Sequence, residues 1–543
     1  MTEEYDIRYD RQLRLWGHKG QTSIENASVC VLGSSALASE LLKNLVLAGI
    51  KSFYIVDDAV VSNPDVGGNF FVTKDDVGKS RAQVVTRWLI ELNPSVKGDY
   101  DVEDINRFLS NRITKLASFA VVVGANLYEK SAVRASQFCY DRNIPFIHTR
   151  VFGLVGIVRV SVKEHCIIMS HDENPQLDVR LDAPFPELKE FAENTDLDDM
   201  TYEAHAHTPF LLLYLKALEK WRKEIGDPEA FPDVRDKRTS FLKVFLDMRR
   251  PHPETDSLNE PNFSEGRSFI LRCLHRSTVP SHLKTLFEQS SQKDLRKSRF
   301  WLLIAAIGRF VEQTGFLPLS GELPDMISDS ERYVKLVSLF RTKAEQDARE
   351  VFRHLLEILE QNNLRKDLIN FEDCRLFCRN CSQVKVQKGT TIKTELESKL
   401  EEILQDVRNA DITPNSLSGV YRIHPALWYI LIRAVDRFYA EKLRFPGTNG
   451  VPCTIDSHDL RARVIGLLDD CNVVDVVGLL EMIPDGAIDE MCRYGASEPH
   501  VIASLIGGIT AQEAIKLVTQ QYIPIDNTFI YDGHSQNAMT YRL

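Results

Sequence analysis

The sequence holds no apolar run that reads as a membrane span. Its greasiest piece, FLLLYLKAL at 210–218, falls well short of the roughly 20 residues a bilayer-crossing helix needs. Nor is there an excess of positive charge. Lys and Arg number 66 against 77 Asp and Glu, a net charge of −11, which argues against nucleic acid as the main partner because phosphate binding needs an excess of cations. Cysteine is sparse and scattered, 10 residues in 543, so the chain is expected to fold without disulfides in a reducing compartment. The opening MTEEYDIRYDRQ has no apolar segment of the kind a secretory signal carries. These absences point to a cytoplasmic or nuclear protein with neither membrane nor nucleic acid as partner.

What is present centres on residues 27–58, ASVCVLGSSALASELLKNLVLAGIKSFYIVDD. Val29 to Leu32 is a short apolar run that stops at Gly33. From Ala36 the apolar residues recur at helical spacing through Leu37, Leu41, Leu42, Leu45 and Val46, and Gly49 closes the helix. A second apolar run ends in Asp57 and Asp58. Strand, tight turn, helix, strand, acid is the opening unit of a nucleotide-binding parallel sheet. The turn itself reads Gly33-Ser34-Ser35-Ala36-Leu37-Ala38, with only the first of the three glycines that cradle a pyrophosphate. Side chains at Ser35 and Ala38 hinder close approach of a phosphate to the backbone.

A chain of 543 residues exceeds what one core accommodates and is expected to form several units. Before the first strand, YDIRYDRQLRLWG offers Leu13, Leu15 and Trp16 as a partly apolar face, with Arg8, Arg11 and Arg14 three apart along one side of a short helix. These arginines are either solvated surface charges or planar donor forks placed for phosphate oxygens. Asn63-Pro64-Asp65 and Gly67-Gly68 mark a loop over the strand ends. A helix over 79–92 then carries Val84, Val85, Trp88 and Leu92 inward. Further strands at 119–123 and from 146 alternate with helices to about residue 165, as in a doubly wound α/β sheet. Helical patterns dominate 208–405. Sheet character returns after an apolar helix over 498–519, with short strands expected at 523–525, 529–531 and 539–541. The expected division is a sheet domain over 1–165, an inserted, mostly helical domain over 166–487, and a return segment over 488–543.

Tyr9-Asp10-Arg11-Gln12-Leu13-Arg14-Leu15-Trp16-Gly17, followed by the strand-turn-helix, resembles the start of the non-catalytic half of the ubiquitin-like-protein activating enzymes. So do Phe152-Gly153-Leu154-Val155-Gly156, the stretch from Leu181 to Leu188 (LDAPFPEL), and the stretch from Cys492 to His500 (CRYGASEPH). The resemblance spans nearly the whole chain and is weakest across 226–264 and 361–419. It implies a Rossmann-like, ThiF-type adenylation fold that is pseudo-active, in a regulatory chain paired with a catalytic adenylating subunit that carries the active cysteine. ATP and magnesium would sit on that partner and no cofactor on this chain. The modifier implied is a Nedd-type ubiquitin-like protein, and a conjugating enzyme enters only indirectly. By the motif, Arg11 is the residue that reaches in trans to the partner's ATP. No catalytic residue and no metal ligand is assigned to this chain. Departures from the active pattern support this reading. Where active members carry Asn-Arg-Gln, the corresponding part of this chain's loop reads Gly67-Gly68-Asn69-Phe70, with no arginine; where they place a magnesium-holding aspartate, it has Asn126. Lys79 survives, and Asp57 or Asp58 is left to meet a ribose or to serve structure. The alternatives are a regulatory subunit for a SUMO-type modifier, an autonomous ThiF-like adenylating enzyme, a dinucleotide-dependent oxidoreductase, and an interaction scaffold that never meets ATP.

Other chemistry-bearing clusters each carry two readings. Cys374, Cys378 and Cys381 are either a metal cluster lacking a fourth ligand or inert helix cysteines, and the spacing favours the second. Pro452-Cys453-Thr454-Ile455 resembles the catalytic-cysteine tetrapeptide of the active partner, but only Lys442 and Arg444 stand nearby in sequence to activate a thiol, and coincidence is favoured. His205 and His207 are either a metal pair or part of the start of the next helix, with capping favoured. Asp196, Asp198 and Asp199 read as a solvated loop or a surface for a basic partner.

Overall fold

The computed structural model describes residues 3–172, 177–397, 400–410, 423–473 and 475–543. Residues 398–399 and 411–419 of the weakly resembling stretch lie outside them. The chain forms two compact units, one of Met1–Ile167 with Val386–Leu543 and the other Ile168–Lys385.

The first unit is built on an eight-stranded mixed sheet. Its strands are Ser28–Leu32 (β1), Ser52–Val56 (β2), Lys97–Asp101 (β3), Val121–Ala125 (β4), Phe146–Phe152 (β5), Val155–Ser161 (β6), Thr528–Asp532 (β7) and Asn537–Tyr541 (β8). They lie in the order β8-β7-β6-β5-β4-β1-β2-β3. The pairings from β3 through β5 are parallel and those from β5 through β8 antiparallel. Period-two alternation assigns the two faces. Val29, Val31, Phe53, Ile55, Val121 and Val123 enter one core, while Cys30, Leu32, Tyr54, Val56 and Val122 enter another on the opposite face. Each fully buried aliphatic side chain contributes roughly 1.5–3 kcal/mol, so covering both faces is what holds a parallel sheet.

Five helices matter for the site: Glu3–Asn26 (α1), Ala36–Ala48 (α2), Arg81–Leu92 (α3), Pro425–Lys442 (α4) and His500–Thr519 (α5). Helix α5 corrects the reading that no segment has span length. It is 20 residues long with a mean hydropathy of 1.5, but it packs on α2, β5 and β6 as a core helix. Its Ile502, Ile506, Ala511 and Ile515 are buried, whereas Val501 and Leu505 face outward.

Four further expectations shift. Residues 523–525 form no strand, and the last hairpin is β7–β8 alone. Helix α3 begins at Arg81, capped by the Ser80 side chain, and Leu92 is exposed while Leu89 takes the inward position. Strand β3, KGDYD, is a partly exposed edge strand without an apolar signature. Finally, the described residues of 386–487 belong with the sheet rather than with the helical insertion. The first twelve residues of α4, Pro425 to Asp436, are all buried, and Trp428 and its neighbours share a core with Phe152, Val155, Ile157, Ile530 and Tyr541 of the sheet.

The second unit is helical, with a core around Trp221, Phe241, Phe245 and Phe263. Its longest helix, Ser330–Gln361, packs on Arg299–Thr314.

Candidate functional site

The order of the sheet reverses at β1, which is flanked by β2 and β4, and ligands of doubly wound folds bind beyond the strand ends at such a point. A cavity of about 470 Å³ lies there, lined by the Gly33–Ser35 turn, Asp57, Asp58, Arg81, Asn126 and Glu498. Gly33 has φ +112, and a side chain placed on it would come within 2.8 Å of the Ala125 carbonyl oxygen, so only glycine fits where β1 turns past β4. Tyr128, Tyr439 and Phe445 form an aromatic wall, with Tyr128 and Tyr439 stacked at 4.0 Å between ring centroids. Arg150 on the cavity is bound to the buried Asp436 through both of its terminal nitrogens.

The charges that would meet a nucleotide are satisfied within the chain. Asp57 accepts from the Ser34 amide at 2.9 Å, the Ser34 hydroxyl, the Ala59 amide at 3.0 Å and Arg81 at 3.1 Å. Arg81 also donates to the Ser34 hydroxyl at 3.1 Å and to Asp65 at 2.9 Å. Burial works against the Arg81 charge, but Asp57 and Asp65 outweigh it and hold the guanidinium above its ordinary range. Asp57 is therefore structural, and Asp58 is exposed on the rim.

Glu498, which precedes α5, accepts a hydrogen bond from the Leu37 amide in the first turn of α2 at 3.1 Å. Burial raises its carboxyl above the usual range, against the pull of that amide. Unpaired amides of a helix start are an anion seat, and here the anion is the chain's own.

The loop residues follow the same pattern. Asn69 is buried; it donates to the Ser39 hydroxyl at 3.0 Å and accepts from the Phe71 amide at 3.0 Å. Phe70, at the end of the Gly67-Gly68-Asn69-Phe70 stretch that holds no arginine, is 77% exposed. Asn126 accepts from the Val151 amide at 2.8 Å. Lys79 pairs with Asp76 at 3.1 Å.

Helix α1 breaks at Gly17, where φ is +67. Before the break, Tyr9 and Trp16 are buried and Leu15 is 55% exposed, so the inward face is Tyr9-Gln12-Leu13-Trp16 rather than one that includes Leu15. Trp16 is held at both ends: its ring N–H donates to Gln21 at 3.1 Å, and its carbonyl accepts from Gln521 at 3.0 Å. The three arginines are thereby distinguished. Arg8 donates to Asn93 at 3.3 Å and Arg14 pairs with Asp10 at 3.1 Å. Arg11 is exposed and makes no hydrogen bond or ion pair among the described residues.

The remaining clusters are engaged internally. Cys453 is exposed at the start of the helix Cys453–Asp470, but the nearby Arg444 binds Asp456 at 2.6 and 2.7 Å and Lys442 binds Asp459 at 3.3 Å. Cys374 and Cys378 are buried in the helix Phe371–Arg379. A hydrogen bond with Cys374, then burial, raises the Cys378 thiol well above its ordinary value, and burial pushes Cys381 up to about 12. His205 corrects the capping expectation: its Nδ1 meets the buried Glu260 at 2.6 Å, while His207 bonds the Glu203 carbonyl at 2.8 Å. In the Asp196–Asp199 loop, the Asp198 carbonyl accepts from Arg250 at 3.0 Å. Sequence reasoning missed Arg81 and Glu498. Arg81 stood two residues past Lys79, and Glu498 lay within a motif read only for resemblance.

The ThiF family model matches residues 9–543. A NEDD8-activating enzyme E1 regulatory subunit of Caenorhabditis elegans is 44% identical, the alignment covering 98% of this chain and 98% of that protein. One of Xenopus laevis is 37% identical over 99% and 98%, and the NEDD8-activating enzyme E1 regulatory subunit AXL of Arabidopsis thaliana is 34% identical over 99% and 99%.

Proposed function

This chain belongs to the ThiF family, and we propose that it is the regulatory subunit of a heterodimeric NEDD8-activating enzyme E1. The relatives' names carry the choice of NEDD8, and none of those three names supports the SUMO-type alternative. The observation that supports a non-catalytic role is the cradle itself. Arg81, Asp57 and Asp65 satisfy one another where a nucleotide's charges would be met, and the residues at the turn, the loop and Asn126 are engaged in holding the fold. ATP with magnesium does not fit this cradle, and no step of adenylation is assigned to it. ATP and magnesium bind the catalytic partner, whose cysteine takes the modifier as a thioester. This subunit supplies the dimer interface, part of the modifier groove, and Arg11, whose guanidinium neutralises phosphate charge in trans.

The test is ATP–pyrophosphate exchange by the purified chain alone and with a catalytic partner, each given NEDD8. Silence alone and exchange in the mixture is the expected result. Exchange by the isolated chain would overturn the reading and revive an autonomous adenylating enzyme.

A further inference from the structure

The cradle raises a second question: why the start of α2 is tied to a residue 461 positions away. Glu498 is not a loose surface side chain that happens to fall there. The segment carrying it is fixed on both sides. Tyr494 meets His534 through its hydroxyl, and the other nitrogen of His534 meets Asp532 at 2.8 Å. Ser535 donates to the second oxygen of Asp532 at 2.6 Å, and the His534 ring stacks on Trp428 at 4.6 Å. The Gly153 amide donates to the Ser497 carbonyl at 2.9 Å, and the Ser497 amide donates to the Tyr494 carbonyl at 2.9 Å. Immediately after Glu498 the chain enters α5 through Pro499, and α5 lies along α2. The carboxylate is thus delivered to the helix start by a rigid loop, as a preorganised group.

We propose that Glu498 is a built-in anion: its carboxylate holds the phosphate seat at the first turn of α2 and thereby bars nucleotide from this half of the enzyme. A phosphate entering the cavity would have to displace that carboxylate from the Leu37 amide or sit against it as a like charge. The two arginines on the cavity already have carboxylate partners, Arg81 in Asp57 and Asp65 and Arg150 in Asp436. In a nucleotide-binding half, the ligand bridges the glycine turn to the surrounding elements. Here Glu498 makes one such bridge permanently, tying the turn to the segment that launches α5. The inference rests on reading this cradle as a degenerate nucleotide site. Its test uses this chain alone and a binding readout, so it can fail while exchange by the heterodimer succeeds.

The experiment is calorimetric titration of inorganic pyrophosphate, at ionic strength held constant with sodium chloride, into the full chain as wild type, Glu498→Ala and Glu498→Gln. Wild type is expected to show no saturable binding. Glu498→Ala, which removes both the charge and the acceptor, is expected to bind at least tenfold tighter than any limit set for wild type. Its melting temperature should fall and then recover in pyrophosphate, while that of wild type does not move. Should the alanine variant fail to fold, Glu498→Gln decides, since it keeps an acceptor for the Leu37 amide and loses only the charge; at least a threefold gain is expected. Saturable binding by wild type, or a smaller gain in the variant that decides, would overturn the proposal.

Discussion

Replacing Arg11 by alanine removes a guanidinium that is exposed and bonded to nothing among the described residues of its own chain. Substitutions at such positions change stability by no more than about 0.5 kcal/mol, and alanine is the better helix former. The anchors of this half of α1 are untouched: Tyr9 and Trp16 stay buried, and Gln521 still holds the Trp16 carbonyl at 3.0 Å. On the role proposed for Arg11, the cost falls on the partner's chemistry. A unit charge about 4 Å from a phosphate oxygen, in a medium of effective dielectric about 20, is worth about 4 kcal/mol. That corresponds to roughly a thousandfold in rate, and arginines supplied in trans to phosphoryl transfer reach that range and beyond. Because the partner's other cations and magnesium share the load, the expected loss in ATP–pyrophosphate exchange by the reconstituted heterodimer is about 10- to 1000-fold. Size-exclusion chromatography should show the heterodimer intact. Arg14→Ala is the matched control, since Arg14 is already spent on Asp10 at 3.1 Å, and it should leave exchange within about twofold. Arg11→Lys should recover part of the loss, as a point charge without the planar fork. Exchange by Arg11→Ala within twofold of wild type, or a loss that tracks dissociation of the subunits, would refute the role given to Arg11.

The pH dependence of stability follows from His148. Burial, then the neighbouring Arg150, lowers its imidazole from 6.5 to about 3, so the folded chain keeps it neutral while the unfolded chain protonates it below 6.5. Stability is fully present above that pH and is lost as pH falls toward 3, by about 2 kcal/mol at pH 5; urea unfolding at pH 8 and pH 5 should show that difference shrinking in His148→Gln. Cys453→Ser should leave thioester formation by the heterodimer within about twofold, because Arg444 and Lys442 are paired with Asp456 and Asp459 and do not serve the thiol. A single-turnover assay with labelled NEDD8 checks this, and loss of the thioester would make Cys453 a nucleophile.

The strand-turn-helix at 27–58 was legible because its signals are local. Apolar runs, helical spacing and a terminating Gly49 each report on a few adjacent residues. The same locality explains the misses. Strand β3 is an edge strand whose partial exposure leaves no apolar pattern, and its place in the sheet comes from pairing with β2. Helix α4 reads as one more helix in a helical stretch. Its membership in the sheet unit is decided by Phe152, Val155, Ile157, Ile530 and Tyr541, which share its core. His205 was read with the histidine two positions away, whereas its partner is Glu260. The Arg14–Asp10 pair was readable as an i,i+4 contact, but the bond from Arg8 to Asn93 spans 85 positions. Spacing alone therefore leaves three arginines along one side; the motif points to Arg11, and the structure adds that Arg8 and Arg14 have partners.

The turn shows the same limit in the chemistry of the site. Sequence displays what is missing from Gly33-Ser34-Ser35-Ala36-Leu37-Ala38, namely two glycines, and missing glycines alone would leave a poor nucleotide site rather than none. In the proposed reading, what closes the site is a set of internal bonds. Asp57 and Arg81 turn its charges on each other at 3.1 Å, and Glu498 reaches its helix start from the far end of the chain. Glycine turns bind phosphate because they leave backbone amides unpaired. A carboxylate that already pairs the Leu37 amide competes for the same donor whatever residues stand at 35 and 38. On the proposed reading, loss of nucleotide binding in this half rests on internal bonds as well as on missing glycines. The same Glu498 bond ties the first turn of α2 to the segment that leads into α5.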